Sequence, residues 1–519
     1  MDYSLFIWST ATFIETRLQE SIDYTALEKN VGFSYRHIRE TFKECTGIPL
    51  SRYILLRRIA NSAFDIVHTS KSLTEIAADY MFDSYDTFTR AYKRHVNKLP
   101  SDFRSGNISA KVGRKRILMG MFGPMIIFNG EFNNPKQDHA ISNDFCIPQH
   151  LTEVDYSMKS IEKTEQSCIL YGVPKVMYSC EGCTPFCVAM KSCLNYMGQQ
   201  VEYSYIMAVT GAAFRLRWNV AFWDGGNVDI RNIYEDPYEA FRRAFQATGR
   251  SFQLLKREES SKDGFRQFIK AEIDEGRPVI AFGIIGPPEA CLITGYRNNG
   301  DTLLGWNCFQ ENQEYAKHVT IDESGYFVTD SWWENECTAA LISIGEKQEA
   351  LGDTKEILRN AIDILQKEKI IHYDKDGSLL AEYAGGQLAY DLWALSIAND
   401  KDFPKNAVLP ILIERIMCQN DAQDMIGEGR YYAACYIEWI GSKNEKFTDN
   451  CKKAAEYFRR CAECSLKMNE IKGGILQDET ITRNFAEPDI RKQIVSFIYK
   501  AKEYEAKACE LLEEIITEL

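Results

Sequence analysis

Apolar and polar positions along the chain change rhythm three times. Up to about residue 104 apolar residues recur at helical spacing in short blocks, each opened by a polar residue and closed by a turn. Two of these segments echo each other: TALEKNVGFSYRHIRETFKECTGIPLSRY, from Thr25, and SLTEIAADYMFDSYDTFTRAYKRHVNKLPSDFR, from Ser72. Each predicts a capped short helix, a turn at Val31-Gly32-Phe33 or Tyr80-Met81-Phe82, and a second helix carrying Phe42-Lys43 or Tyr92-Lys93 at matching places. Between them PLSRYILLRRIANSAFDIVHTS predicts one long helix, with Leu55, Ile59, Ala63 and Ile66 near helical spacing.

The pattern then weakens. SGNISAKVGRKR reads as a polar linker, and RILMGMFGPMIIFNGEF as a short apolar piece that docks on a neighbour. From about residue 166 strand-like runs appear. CILYGVPKV leads into a helix after Cys183. DGFRQFIKAEIDEGRPVIAFGII predicts a helix, a turn at Gly276-Arg277-Pro278 and a buried strand. ACLITGYRNNGDTLLGWNCF predicts two strands joined at Asn298-Asn299-Gly300. From residue 348 onward the text reads as all-helical, with separate helices in NAVLPILIERIMCQND and EGRYYAACYIEWIGS and a long last one, DIRKQIVSFIYKAKEYEAKACELLEEIITEL. That last helix lacks a sustained heptad and reads as a bundle member.

Length, charge and cysteines sharpen this. The 519 residues exceed one core. Residues 1–116 hold 18 Lys+Arg against 13 Asp+Glu, a net of +5, whereas the whole chain is −13, so the rest carries −18. The basic N-terminal part is thus the one suited to a polyanion. No apolar run approaches the ~20 residues that span a bilayer, and MDYSLFIWSTATFIETRLQE has no signal-peptide features. A cytoplasmic protein with no membrane partner is expected, its sixteen cysteines reduced and mostly buried. Cys180-x-x-Cys183 and Cys461-x-x-Cys464 have metal-like spacing but lie far apart, without nearby histidines, so neither a metal nor a cofactor is expected.

Two helix-turn-helix units joined by a rigid helix would set two recognition helices on one DNA face about one turn, ~34 Å, apart. The motifs VGFSYRHIRETFKECTG, and IAADYMF followed by F-x-R-x-Y-K and L-P-S-D-F-R, resemble the AraC/XylS family of transcription regulators over residues 8 to 104. One departure is Met81, where the family usually has a glycine before the turn aromatic; a left-handed turn residue is then expected to be missing from the second unit. The resemblance implies base-facing positions on the second helix of each unit: Arg36, Arg39 and Glu40, then Asp86, Thr87, Thr89 and Arg90. Arginine suits the O6/N7 edge of guanine, and threonine the thymine methyl. Lys43, Lys93, Arg94 and Arg104 suit phosphates.

In the middle region a cysteine before a helix, followed by a small sheet, is the layout of papain-like enzymes. The segments resemble bacteriocin-processing cysteine peptidases and their butirosin-biosynthesis acyltransferase relatives over residues 166 to 345. That resemblance places Cys183 at the nucleophile and Asn307 at the orienting residue, but Glu289, not a histidine, at the general base. The upstream glutamine that would help form an oxyanion hole is absent from VPKVMYSCEG. A carboxylate disfavours a thiolate beside it, and a thiol needs a base or cation to be activated. His318, past the strand, has no matching role. The scaffold is expected to bind rather than cut, with no catalytic residue. Five of the eight tryptophans fall here, and Trp218, Trp223 and Trp306 are candidate pocket walls beside Cys183, Glu289 and Asn307.

The expected fold is multidomain: an all-α double helix-turn-helix DNA-binding domain (1–108), a linker or docking segment (109–165), an α+β papain-like cysteine-peptidase-like domain (166–347) that binds ligand, and an α-helical bundle (348–519). The bundle either covers the open face of the preceding domain or holds two subunits together as a homodimer. The expected function is a ligand-responsive transcription regulator whose partners are double-stranded promoter DNA, RNA polymerase and an unidentified small-molecule effector. The alternative is a cysteine-dependent hydrolase or acyltransferase fused to a DNA-binding domain; a third reading has the C-terminal parts bind another protein.

Overall fold

The computed structural model describes residues 10–11, 13–14, 17–46, 49–68, 71–95, 99–104, 159–178, 182–312, 315–350, 352–374, 376–404, 407–443, 445–474 and 479–519. Most of the segment read above as linker and docking piece therefore lies outside the described residues. Two compact bodies result, one formed mainly by residues 1–155 and one comprising nearly everything from residue 156 on.

In the first body α1 (Tyr24–Val31) opens on Asp23, whose carboxylate accepts from the Thr25 and Ala26 amides, and closes on Gly32 at φ 80°. Then come α2 (Tyr35–Thr46), α3 (Leu50–His68), α4 (Leu73–Asp79), α5 (Tyr85–His95) and α6 (Pro100–Arg104). Ser72 and Glu75 form a capping box that starts α4. The joining helix α3 serves two cores at once. Its Leu50, Tyr53 and Ile54 pack with Leu27, Ile38 and Phe42. Its Ile59 and Ile66 pack with Ile76, Tyr80, Phe88 and Tyr92. Buried hydroxyls tie the second core to α3: Tyr80 donates to Asp65 (2.6 Å), and Tyr92 lies 2.7 Å from Ser62. The turn expected to be missing is present, because Met81 itself adopts the left-handed conformation, φ 59°.

The second body is built on a nine-stranded antiparallel sheet. Its strands are β1 (Ser160–Lys163), β2 (Cys168–Tyr171), β4 (Leu254–Lys256), β5 (Val279–Phe282), β6 (Ala290–Arg297), β7 (Thr302–Trp306), β8 (Thr320–Ile321), β9 (Phe327–Thr329) and β10 (Ala340–Ile342). The main order is β4-β10-β5-β6-β7-β9-β8, with β2 pairing both β1 and β6. The hairpin between β6 and β7 turns where expected, through Asn298, Asn299 and Gly300 at positive φ. Three helices are built around it: α7 (Pro185–Tyr196), α9 (Glu239–Thr248) and α10 (Lys262–Asp274), and α7 packs on β5 and β6.

Two features differ from the sequence reading. First, the C-terminal third is not all-helical: β11 (Lys369–Tyr373) and β12 (Leu379–Ala384) form a hairpin, and β12 pairs with β3 (Trp218–Asn219). These strands are short, and what holds the second one, β3, lies far away in the chain. Second, the two helices expected before residue 443 are one, α13 (Leu409–Lys443). The helix runs unbroken through the Gly427-Glu428-Gly429 triplet. Its second glycine is a place of close approach: a Cβ on Gly429 would lie 2.9 Å from the Ala213 carbonyl oxygen. The remaining helices are α8 (Tyr203–Val209), α11 (Thr354–Gln366), α12 (Gly386–Ala398), α14 (Thr448–Lys472), α15 (Glu479–Ala486) and α16 (Pro488–Glu518). At the centre of this bundle Arg430 and Glu505, both fully buried, form an ion pair that also receives the Tyr390 hydroxyl.

Candidate nucleic-acid interface and cysteine site

In α2 the buried face carries Ile38, Thr41 and Phe42, which leaves Arg36, Arg39, Glu40 and Lys43 exposed. Arg36 and Glu40 bond to each other (3.0 Å) one turn apart, and both stay largely in solvent. The Arg39 guanidinium lies over the Tyr35 ring, 5.7 Å from its centre. In α5 the buried face carries Phe88 and Tyr92, and Asp86, Arg90, Lys93 and Arg94 are exposed. The two threonines differ from this set. Thr87 is half-buried and its hydroxyl meets that of Ser84 at the start of the helix (3.0 Å). Thr89 is half-buried too, and its hydroxyl oxygen points into the protein rather than outward. The backbone of Arg104 ends α6; its side chain lies outside the described residues.

Cys183 stands two residues before α7, which Thr184 precedes as N-cap and Pro185 opens. The free amides at such a helix end attract negative charge, and here a carboxylate supplies it. Glu428, from the middle of α13, is 3% exposed. Its Oε1 accepts from the backbone N–H groups of Cys183 and Thr184 and from the Tyr203 hydroxyl (2.7 Å). Its Oε2 accepts from the Thr184 hydroxyl at 2.8 Å. Arg215, 3% exposed, reaches the same Thr184 oxygen from behind, at 3.4 Å. Burial first, then the Glu428 charge, pushes the Tyr203 phenol well above its ordinary range.

Glu289 lies just before β6, in a desolvated position. Burial, and next the Asp229 carboxylate, raise its pKa to about 7, against the pull of Arg231 and Arg215. Burial also drives up the Tyr178 phenol, and the charges of Glu289, Cys308, Cys183 and Asp421 add to that. Glu289 and Cys183 thus both add to the upward shift of the Tyr178 phenol. The Asn307 side-chain oxygen accepts from the Phe309 amide (2.8 Å), and the Phe309 ring meets that of Tyr178, 5.8 Å between centres. His318 is exposed, in the connection before β8.

The tryptophans do not gather at Cys183. Trp218 stacks on Trp393, its ring N–H donating to Ser396, and Trp223 meets Trp218 edge-on; both belong to the core of the helical bundle. Trp306 donates to the Val173 carbonyl (2.9 Å) and packs on Tyr326. The residues that do frame the site were not singled out in the sequence: Tyr178, Tyr203, Arg215, Asp421, Asp424 and Glu428. One signal was there. Asp421, Asp424 and Glu428 in DAQDMIGEG are spaced i, i+3, i+7, which puts three carboxylates on one helix face. Among the described residues no group of three or more His, Cys, Asp or Glu is arranged to hold a metal ion, and no helix is long and apolar enough to cross a membrane.

Residues 27–106 match the family model described as a helix-turn-helix domain. The probable transcription factor PqrA of Proteus vulgaris is 35% identical over 94 residues, which is 18% of this chain and 77% of that protein. The transcriptional regulator Rob of Salmonella typhimurium is 30% identical over 123 residues, 24% of this chain and 43% of Rob. The right origin-binding protein of Escherichia coli K12 is 32% identical over 104 residues, 20% of this chain and 36% of its own length. The chain thus spans less than half the length of these last two relatives. A crystal structure of a transcriptional regulator from Chromobacterium violaceum, described as an AraC-type DNA-binding-domain protein, is 26% identical, with 19% of this chain and 89% of that one covered and a TM-score of 0.19.

Proposed function

The chain belongs to the AraC family of DNA-binding transcription regulators, and from that premise we propose that it is a ligand-responsive regulator of promoter DNA. Its first body binds the duplex. Its second body, a papain-like scaffold without the chemistry, binds a small-molecule effector. Ligand binding shifts the protein between conformations that differ in DNA affinity or in contact with RNA polymerase, by no more than the ligand's differential affinity for the two.

The observation that carries the non-catalytic reading is Glu428 on the amides of Cys183 and Thr184. In a cysteine acyl-transfer enzyme that helix end favours the thiolate, and such backbone donors stabilise an oxyanion. Here a buried carboxylate holds them, and the resemblance of the sequence puts a second carboxylate, Glu289, at the position of the base. Proton abstraction needs a suitable group within reach, and His318 is exposed, in the connection before β8. The packing of α7 on β5 and β6 supports the scaffold half of the proposal.

The test is the pH profile of iodoacetamide labelling at Cys183. Labelling should rise only in the alkaline range of an unactivated thiol, about pH 8.5 or above, and His318→Ala should leave it unchanged. Fast labelling at pH 6 that His318→Ala abolishes would make the site an enzyme's.

A further inference from the structure

The helical bundle keeps a lysine in its interior. Lys472, the last residue of α14, is fully buried. Its Nζ donates to two side-chain oxygens of α13, Asn420 Oδ1 and Gln423 Oε1, the second at 2.7 Å. Both acceptors are neutral amides, and among the described residues Nζ has no third. A network behind them fixes how they point. Gln423 Nε2 donates to the Ser465 carbonyl (3.1 Å) and to Asn469 Oδ1 (2.8 Å), which turns its Oε1 toward the lysine. Gln419 Nε2 donates to that same Oε1 (2.7 Å), and Gln419 Oε1 accepts from the Trp393 ring N–H (2.8 Å). Gln419, Asn420, Gln423 and Asn469 are all buried.

Counting donors decides which form of the amine fits this seat. An ammonium carries three N–H groups and a neutral amine two. Two fixed acceptors match the neutral amine. The charged form leaves one N–H unmet in a desolvated place, which is costly. Burial accordingly pulls the Lys472 pKa down to about 7, against the charge of Asp424. Among the charged groups on the elements packed there, α13 brings Asp424, whose charge acts on Lys472 and on Asp421 as well. The others are engaged: Lys467 with Glu470 on α14, Arg483 with Glu479 on α15, Asp391 of α12 with Lys502, and Arg491 of α16 with Asp400 and the Ile397 carbonyl.

We propose that Lys472 is a proton-operated latch of the bundle: neutral, it sits on Asn420 and Gln423 and closes the seam between α13 and α14; protonated, it leaves that seat toward Asp424 and the seam loosens. The change is felt beyond one side chain, because Asn484 of α15 donates to the Lys472 carbonyl (3.1 Å) and so ties α15 to the end of α14. The folded pKa lies below the ordinary 10.5. As pH falls from 10.5 to 7 the opened seam therefore takes up a proton that the closed one refuses, and closure weakens over that window. The latch is separate from the effector reading and asks nothing of it.

The experiment follows the full chain, carrying 13C at the lysine Cε, by NMR against pH. One lysine signal, absent from Lys472→Met, should titrate with a midpoint near 7, and the exposed lysines near the ordinary ~10.4. Asp424→Asn should move that midpoint lower still, since a charge that favours the ammonium is gone; this shift identifies the signal even if Lys472→Met does not fold. Hydrogen exchange of the amides of residues 461–472, corrected for its intrinsic pH dependence, reads the seam. Opening should be about tenfold or more greater at pH 6 than at pH 8.5 in the wild type, and Lys472→Met should remove that difference. Midpoints above pH 9 for every lysine, equal protection of the wild type at the two pH values, or the same loss in Lys472→Met would each overturn the proposal.

Discussion

Two residues carry the clearest local tests. Met81 sits at φ 59°, 43% exposed, where its turn needs a left-handed residue. That conformation costs an L-residue about 1–2 kcal/mol, and a glycine escapes it at some cost in unfolded-chain entropy. Met81→Gly should therefore stabilise the second helix-turn-helix unit by about 0.5–1 kcal/mol, read as slower hydrogen exchange of the α4 and α5 amides. Glu289 gives a pH test. Its folded pKa, about 7, lies above the ordinary value of 4.5. The folded state then holds the proton more tightly than the unfolded one, so this side chain favours folding fully below pH 4.5 and loses that contribution as pH rises through 7. Glu289→Gln should raise stability at pH 8 by about 3 kcal/mol and change it little at pH 4, as measured by urea unfolding at the two pH values. Equal effects at both would mean that the carboxylate is not desolvated.

At the scale of elements, the repeated unit was legible because its information is local: a cap, a turn and a helical stripe lie within about 20 residues, twice. The β6–β7 hairpin was legible for the same reason, through Asn298-Asn299-Gly300. The β11–β12 hairpin was not, since only its pairing with β3, over 150 residues earlier, explains it. Nor was the continuity of α13. Glycine in an exposed helix interior weakens the helix, so Gly→Ala normally stabilises by up to about 1 kcal/mol. At Gly429 the sign should reverse, because the new methyl would press on the Ala213 carbonyl. We expect Gly429→Ala to destabilise the protein by about 1–3 kcal/mol, seen as a lower melting temperature. A rise would show that α13 does not approach that backbone so closely. The candidate site divides in the same way. Cys183 and Glu289 were found from short motifs, and both add to the upward shift of the Tyr178 phenol. Glu428 lies 245 positions from Cys183, a contact that no local pattern announces. The tryptophans misled because aromatic residues fill cores as readily as pockets, and Trp218 and Trp223 serve the bundle.

For the whole molecule, the two separately described bodies differ in charge. The N-terminal part carries the positive excess and the remainder the negative one, so only the first is suited to phosphate. The second joins a sheet body to a helical bundle through the Glu428 and Arg430 contacts of α13. Altering the first of these links should be visible at the cysteine. With Glu428→Gln the helix end loses its counter-charge, and Cys183 should label faster with iodoacetamide at pH 7 while the DNA affinity of the ligand-free protein stays the same. The account as a whole stands on sequence-specific DNA binding. Its most direct test is the affinity of the full chain for a selected duplex against a scrambled one, measured at two salt concentrations. Arg39→Ala and Arg90→Ala should each cost the selected duplex about 1–3 kcal/mol, and Lys93→Ala should weaken both duplexes alike and flatten the salt dependence. Equal affinity of the intact chain for the two duplexes would contradict it.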